Sequence, residues 1–510
     1  MNHPPKTPEN RPKKPDMTAK FGAREGDDGI IRCDACPVLC RIRPGRAGAC
    51  DRYANEDGQL IRVDPLVMMA RAVEGEQPVK MVEFAGGAGW DGEVLRPSET
   101  FVTGIGAGTT YPDYKPAPFI VGSKIDGADT VTVVTEGIFS YCGVKVKIDT
   151  DRHLGPEQAT VTAEGEPVGH VTTAEYGSQM LSLGGVRHLT GGSKKEGVVT
   201  CRTLLALCSG EPVTLKIDGG HEVIVKAGAA PVVDGHEEER MRVGCGSATI
   251  GIFAGQWVGH VDEVIVVDDH ITGVLTEHQA GKCLDMPASG IRIRGRRSTP
   301  GRYFRVAEPG VFWGGTDITD PLAIIDRIEA DKARPGLRLL FTSTTGEDAL
   351  YCVLDDDLKP VPEALPAELR AVQDRIAENC EPSLSSVVFM AGAGGSLRAG
   401  VTTNPVRLTR SVAAGRTRVT MGGAPVHVWP GGGITVMVDV TAMPKGAFGY
   451  VPTPALVAPM EFTLPRRLYE ESGGHAADIV ALEQVIAEQA ADARVDPWAS
   501  LAAWPGKAPE

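Results

Sequence analysis

Four cysteines between Cys33 and Cys50 constrain this chain more than any other feature. They read Cys33-Asp-Ala-Cys36-Pro-Val-Leu-Cys40, then nine residues and Cys50, a C-x2-C-x3-C-x9-C pattern, while the other seven of the eleven cysteines are scattered singly. An odd total in a long chain fits no disulfide framework, whereas a local cluster in a reducing compartment points to a metal. Short loops let neighbouring sulfurs face one point, and Gly45 and Gly48 let the chain double back so that Cys50 closes the set. Four thiolates suit an iron–sulfur cluster or a structural zinc, with unliganded thiols as the remaining reading. The order x2-then-x3 is the reverse of the C-x3-C-x2-C of radical-SAM enzymes, so that chemistry is not indicated.

The rest of the chain is large enough for more than one core: 510 residues, at roughly 100–200 per domain, imply about three domains. Hydrophobic residues at 42% and charged residues at 23% describe a chain that folds. Sixty-two glycines beside only 5% aromatics favour tight turns and many short strands. With 52 Lys and Arg against 66 Asp and Glu, the net charge of −14 excludes a sequence-independent nucleic-acid binder, which needs excess cations for phosphates. No apolar run approaches 18 residues and the Pro-rich N-terminus has no apolar centre, so neither a membrane span nor a secretory signal is expected and the chain reads as cytoplasmic. Residues 1–28 read as a disordered basic tail.

Period-two alternation runs through the body, at Thr130–Thr135, Val144–Asp149, Ala159–Ala163, Val213–Ile217, Val223–Val225, Val264–Val267, Leu337–Phe341, Val387–Met390 and Ile434–Val440. Helical spacing predicts helices over Leu322–Ala333, Ala367–Glu378 and Ala476–Ala491. The expected class is α+β: a strand-rich multi-domain body with few helices, preceded by a small four-cysteine metal-binding module. Expected divisions are 29–75 for the cysteine module, 76–297 for a strand-rich catalytic and flavin region, 298–380 for a mixed α/β segment, and 381–510 for a C-terminal α+β region ending in a helix.

Several polar stretches look more like sites than core. Tyr141 and Cys142 are followed by Lys145, Arg152 and His153, an unusual density of proton-transfer groups and cations, although outward lysines and a solvated turn histidine are the plainer reading. Gly244-Cys-Gly246-Ser247 and Gly314-Gly315-Thr316 are small-residue loops whose N–H groups could approach a flat ring or a phosphate. The second, which precedes a helix expected from Asp320-Pro321, is the better anion candidate; both read equally well as plain glycine turns. Arg292, Arg294, Arg296, Arg297, Arg302 and Arg305 make a local basic patch, suited to an acidic partner or paired with acidic neighbours on an edge strand. Asp262 and Glu263 with Asp268, Asp269, His270 and His278 could suggest a carboxylate/imidazole metal site, though carboxylates bounding a strand are usually solvated turns.

Taken together, Cys33–Cys40, Ser140–His153, Glu175–Met180 with Gly184–Thr190, Val267–Val274, Trp313–Asp317 and Ala458–Thr463 make the chain resemble the 6-hydroxynicotinate reductases. That resemblance spans about residues 30 to 475. It implies an iron–sulfur flavoprotein of anaerobic nicotinate breakdown: a cluster, 4Fe-4S in type, on Cys33, Cys36, Cys40 and Cys50, a flavin, FAD in type, and ferredoxin as electron donor docking at the Arg292–Arg305 patch. The implied substrate is a small aromatic lactam carboxylate. Tyr141 is then the candidate acid, with Cys142 or His153 as alternates, and Lys145 or Arg152 the candidate clamp on the substrate carboxylate. Gly244, Gly246, Ser247, Gly314, Gly315 and Thr316 are the candidate flavin contacts. If the cysteines hold zinc instead, a non-redox cyclic-amide hydrolase or a binding protein for a planar acid is the alternative. Homo-oligomerisation is compatible with either reading.

Overall fold

The computed structural model describes residues 29–33, 40–48, 53–62, 104–107 and most of 119–484; within the last span it omits 141–142, 174–178, 239–245, 269–272, 296–311, 381–385, 390–399, 430–433, 439–448, 452–454 and isolated positions. The expected tail at 1–28 and Cys36, Cys50, Tyr141, Cys142 and Gly244 lie outside the described residues, as do Arg296, Arg297, Arg302, Arg305, Asp269 and His270.

At the N-terminus two antiparallel hairpins carry the cysteine motif. Strands β1 (Ile31–Arg32) and β2 (Arg41–Ile42) pair with Ile31 opposite Ile42, and β3 (Arg46–Ala47), β4 (Tyr53–Glu56) and β5 (Gln59–Arg62) form a three-stranded meander. Ile31, Ile42, Tyr53 and Leu60 are buried. Buried Asn55 ties the two pieces together, its amide donating to the Gly29 and Ile42 carbonyls at 2.8 Å each. Such a bridge satisfies two carbonyls that so small a core could not leave buried and unpaired.

The body is α+β and strand-rich. Among the described residues its largest sheet has nine strands: β9 (Gly143–Ile148), β10 (Thr160–Ala163), β11 (Glu166–Thr173), β12 (Gln179–Gly184), β13 (Val213–Ile217), β14 (Glu222–Val225), β15 (Val232–Val233), β16 (His236–Glu237) and β24 (Ser386–Phe389). The order is 16-15-14-13-10-11-12-9-24, all antiparallel. The alternation seen in the sequence has its cause here: Val144, Val146, Ile148, Leu181, Leu183, Leu215 and Ile217 enter one core with the helix Lys194–Cys208, while the residues between them take the other face. A second sheet joins β7 (Phe119–Ile125), β8 (Ala128–Ser140), β25 (Arg418–Met421), β26 (Ala424–Pro425), β29 (Gly449–Val451), β30 (Ala455–Pro465) and β31 (Val480–Ala481), and β30 lies between β25, which it pairs over four positions, and β8, which it pairs over eleven. A three-stranded sheet of β6 (Gly104–Ala107), β27 (His427–Trp429) and β28 (Thr435–Val438) completes this part.

A five-stranded sheet of β17 (Glu263–Val267), β18 (Gly273–Val274), β21 (Arg338–Ser343), β22 (Ala349–Leu354) and β23 (Pro360–Glu363) packs the helices Gly246–Trp257 and Ala367–Asn379. Its β17–β21 pair is parallel, with Val267 beside Ser343 at the carboxyl end. Strand β17 opens on Glu263, fully buried, whose carboxylate accepts from the Val264 and Thr276 amides (2.9 and 3.1 Å) and from the Thr276 and Ser289 hydroxyls. Burial pushes its pKa up against those hydrogen bonds.

Two expected helices are corrected. Leu322–Ala333 is a single 3-10 turn, Pro321–Ile324, followed by strand β20 (Ile325–Ile328) paired with β19 (Ile291–Ile293). Ile324, Ile325 and Ile328 suit a helix face and a strand equally, and Pro321 with Asp320 as cap begins a turn that the sheet partner then overrides. In Ala476–Ala491 only the start is corrected, to a 3-10 turn, Ala476–Asp478, leading into β31, parallel to β7; beyond it the described residues 482–484 and 487 are helical as expected. Ala367–Asn379 is helical as expected. No helix of the described residues is long and apolar enough to cross a membrane.

Candidate functional site

The ladder of the first hairpin continues one step beyond its strands. The Cys33 amide donates to the Cys40 carbonyl at 2.8 Å, which sets the first and third cysteines of the motif opposite each other, with the loop carrying Cys36 between them. The second hairpin begins its turn against the same thiol: a Cβ built on Gly48 would sit 3.6 Å from Cys40 Sγ and 3.2 Å from Ile42 Cδ1. Gly48 donates to the Tyr53 carbonyl at 2.8 Å, and Cys50 follows it by two residues. A two-cysteine pair across one ladder with the next hairpin seated on it fits a four-thiolate centre, and Cys33, Cys36, Cys40 and Cys50 are the residues that would hold it. Among the described residues, which lack two of the four, no group of three metal ligands is assembled.

On the large sheet, register builds a row of functional side chains. Lys145 on β9 lies opposite Ser182 on β12, Ser182 opposite His170 on β11, and His170 opposite Thr160 on β10. Their neighbours Val144, Val146, Leu181 and Leu183 face the core, so the row stands on the opposite face and is half-buried. At its end Gly143 pairs with Gly184, so the chain arriving from Tyr141–Cys142 meets the chain leaving toward Arg187 and His188. His188 is buried against Glu196 at 3.1 Å. Burial lowers the Lys145 pKa; His170 is lowered by burial, then by the charges of Lys145, His188 and Arg187. Arg152 and His153 lie past the other end of β9: Arg152 pairs with Glu238 at 3.1 Å, and His153 is exposed. The structure therefore keeps Lys145 near the start of β9 and parts Arg152 and His153 from it. His170 and Ser182 were not legible, because only the strand register lays them beside Lys145; the His188–Glu196 pair joins a strand's exit to a helix and needs the fold as well.

Gly246 and Gly314 both lie at the carboxyl edge of the parallel β17–β21 pair. Gly246 opens the twelve-residue helix Gly246–Trp257 and donates at 2.8 Å to Asp268, one residue past β17. Gly314, at φ 58°, presses on Ser343 at the end of β21: a Cβ there would come within 2.4 Å of the Ser343 Cβ, and its amide donates to Asp348 at 2.6 Å. The expected helix behind Gly314–Thr316 is corrected: the 3-10 turn at Pro321–Ile324 spans four residues and Asp320 caps it at the Leu322 amide (3.0 Å), so the anion-favouring helix start belongs to Gly246 and Ser247 instead. Two buried polar atoms at this edge, Thr344 Oγ1 and Trp313 Nε1, have no hydrogen-bond partner among the described residues. Phe312 beside them is 61% exposed and holds φ 52°, ψ −158°, a conformation costing about 1–3 kcal/mol outside glycine. Orphaned donors, an exposed aromatic ring and glycines that allow close approach fit a planar group with a polar edge, which Gly246, Ser247, Gly314 and Gly315 would border, the Gly246 and Gly314 amides being already given to Asp268 and Asp348. Thr316 turns its hydroxyl back onto the Trp313 carbonyl at 2.6 Å.

Ser247 Oγ is 2.9 Å from His278 Nε2, and His278 Nδ1 accepts from the Ala280 amide. Nε2 therefore carries the proton and donates to Ser247, and burial holds the ring neutral. The pair orients the hydroxyl and does not deprotonate it. In the basic patch, Arg292 forks onto Glu329 (2.8 and 3.0 Å) and also meets Glu277, and Arg294 meets Asp326 at 3.3 Å. That fork, with Lys332, holds the Glu329 carboxyl at about 2.

Compared with known proteins, the chain is 41% identical over 467 residues, 90% of its own length and 88% of the other's, to a 6-hydroxynicotinate reductase of Eubacterium barkeri. No protein-family model matches it, and no solved structure matches it significantly. Similarity of that depth along nearly both chains makes this an oxidoreductase. It belongs to the 6-hydroxynicotinate reductase family.

Proposed function

We propose that this protein is a cytoplasmic reductase that converts 6-hydroxynicotinate to 1,4,5,6-tetrahydro-6-oxonicotinate with electrons from ferredoxin, using a 4Fe-4S cluster and a flavin, FAD. The observation that carries this reading is the 41% identity to a protein of that name along 90% of the chain. The Cys33–Cys40 pair supports the cluster, and the glycine-loop edge with its orphaned Thr344 and Trp313 atoms supports the flavin. The reaction saturates the C4=C5 bond conjugated with the lactam carbonyl: two electrons and two protons enter, a hydride equivalent at C4 and a proton at C5. Bound cluster and flavin supply what no side chain can, single-electron uptake and two-electron storage.

The chain's own residues bind and move protons. Lys145 holds the substrate carboxylate, a role left to it because Arg152 is already committed to Glu238. Donors on the lactam oxygen stabilise the charge that develops there. Tyr141, leading into the Lys145 strand, delivers the proton to C5. Changing Tyr141 to Phe should leave iron and flavin bound and lower turnover by about 10²-fold or more; full activity would remove Tyr141 from the mechanism. Since Arg292 and Arg294 are paired with carboxylates, ferredoxin docking falls to Arg296, Arg297, Arg302 and Arg305.

The test is anaerobic purification followed by a visible spectrum with iron, zinc and flavin analysis. Flavin bands over a broad iron–sulfur absorbance, bleached by dithionite, and ferredoxin-dependent loss of 6-hydroxynicotinate are expected. A colourless protein with one zinc overturns the reading in favour of a hydrolase or a binding protein.

A further inference from the structure

We propose that Lys145, Ser182 and His170 form a carboxylate-binding row, with Ser182 at its centre, that fixes one end of a planar aromatic acid on the face of the nine-stranded sheet opposite its core. This deepens the reductase reading and takes its ligand from it. Strand register places the three residues directly opposite one another on consecutive strands, so they share a face and span two strand spacings, about 10 Å from Lys145 to His170 between α-carbons. With an ammonium and an imidazole on the outer positions and the Ser182 hydroxyl on the middle one, the row offers a single carboxylate donors from three consecutive strands.

The charge around the row is unbalanced in the sense an anion needs. Among the described residues no carboxylate pairs with Lys145, His170 or Arg187, and the nearest acid on the neighbouring helix, Glu196, is already taken by His188. Lys145 is a half-buried cation, and such a charge without a counter-ion is costly, while His170 beside it is kept neutral by burial and by that charge. A bound carboxylate supplies the counter-ion, which is the free-energy source of the binding. Because the charged groups facing His170 are Lys145, Arg187 and the Glu196-paired His188, ligand binding also draws a proton onto the imidazole.

Equilibrium binding to the purified holoenzyme tests this, with 6-hydroxynicotinate, nicotinate and 2-pyridone as probes, the last being the same ring without its carboxylate. In wild type both acids should bind more tightly than 2-pyridone, and more tightly still as the pH falls through His170's lowered range. Lys145→Gln and His170→Asn should each weaken the acids by about 10- to 100-fold, as expected for one charge-assisted contact, and leave 2-pyridone unchanged, which also shows that the variants are folded. His170→Asn should abolish the pH dependence. If wild type binds nicotinate through these residues but neither binds nor reduces 6-hydroxynicotinate, the row stands and the substrate reading falls. If both variants bind and reduce 6-hydroxynicotinate like wild type, the row falls and the reaction stands. If wild type does not distinguish the acids from 2-pyridone, the row is overturned.

Discussion

At Gly48 a single side chain decides whether the cysteine module can close. A Cβ at that position already meets Ile42 Cδ1 at 3.2 Å, tighter than ordinary packing, and stands 3.6 Å from Cys40 Sγ, so branched bulk must push the thiol out of place. Gly48→Val should therefore cut iron per chain several-fold without changing the far-ultraviolet circular dichroism of the body; a fully loaded Gly48→Val protein would show that Cys40 is not a ligand. Glu263 acts on stability instead. Its folded-state pKa is raised by burial, so its stabilising share is fully present below the ordinary glutamate value and is lost as pH rises through the raised value. Two of its four donors are hydroxyls, which can turn and accept from an amide. Glu263→Gln should thus fold, and its urea midpoint should fall less than that of wild type between pH 5 and pH 8; parallel slopes would show that Glu263 keeps one charge state throughout.

Secondary elements show which physical signals survive in a sequence. The strands were legible wherever one face is buried, as at Val144–Ile148 and Val213–Ile217, because burial on one side writes a period of two. The helix Gly246–Trp257 was not: Ile250, Phe253, Ala254 and Trp257 are buried along with Gly246, Thr249 and Gly251, so no polar stripe marks a 3.6-residue period and its glycines read as a loop. The cysteine spacing was legible because ligands close in sequence converge locally; the Lys145–Ser182–His170 row joins three strands and needs their register. At the edge of β17 and β21, packing of the Trp313–Gly315 loop makes a prediction of its own. Gly314→Ala forces a residue with a Cβ into φ 58° and against Ser343, which should cost about 2–4 kcal/mol. A drop in urea midpoint with loss of bound flavin is expected; loss of stability alone would move the flavin elsewhere.

Across the body, strands distant in sequence complete the two largest sheets. Strand β24, from residues 386–389, pairs with β9, and β30, from residues 455–465, fills the place between β8 and β25. A chain ending at residue 454 would lack eleven ladder positions against β8 together with Met460, Phe462 and Leu464 of the main core. It should be recovered only as insoluble or protease-sensitive material. Limited proteolysis checks this, and a resistant 54–454 core would show that β30 is dispensable.

The late position of β30 also sets an order of events at the ribosome. Cys33 to Cys50 leave the exit tunnel roughly 400 residues before that strand does, which at typical synthesis speeds is a head start of about 20–80 s. During that interval the thiols are made and the sheet that the rest of the chain will form is not. The N-terminal hairpins, whose strands pair locally, can acquire their inorganic partner while translation continues, so the supply of iron or zinc in the first minute of a molecule's life, and the oxidants present then, decide what the finished protein carries.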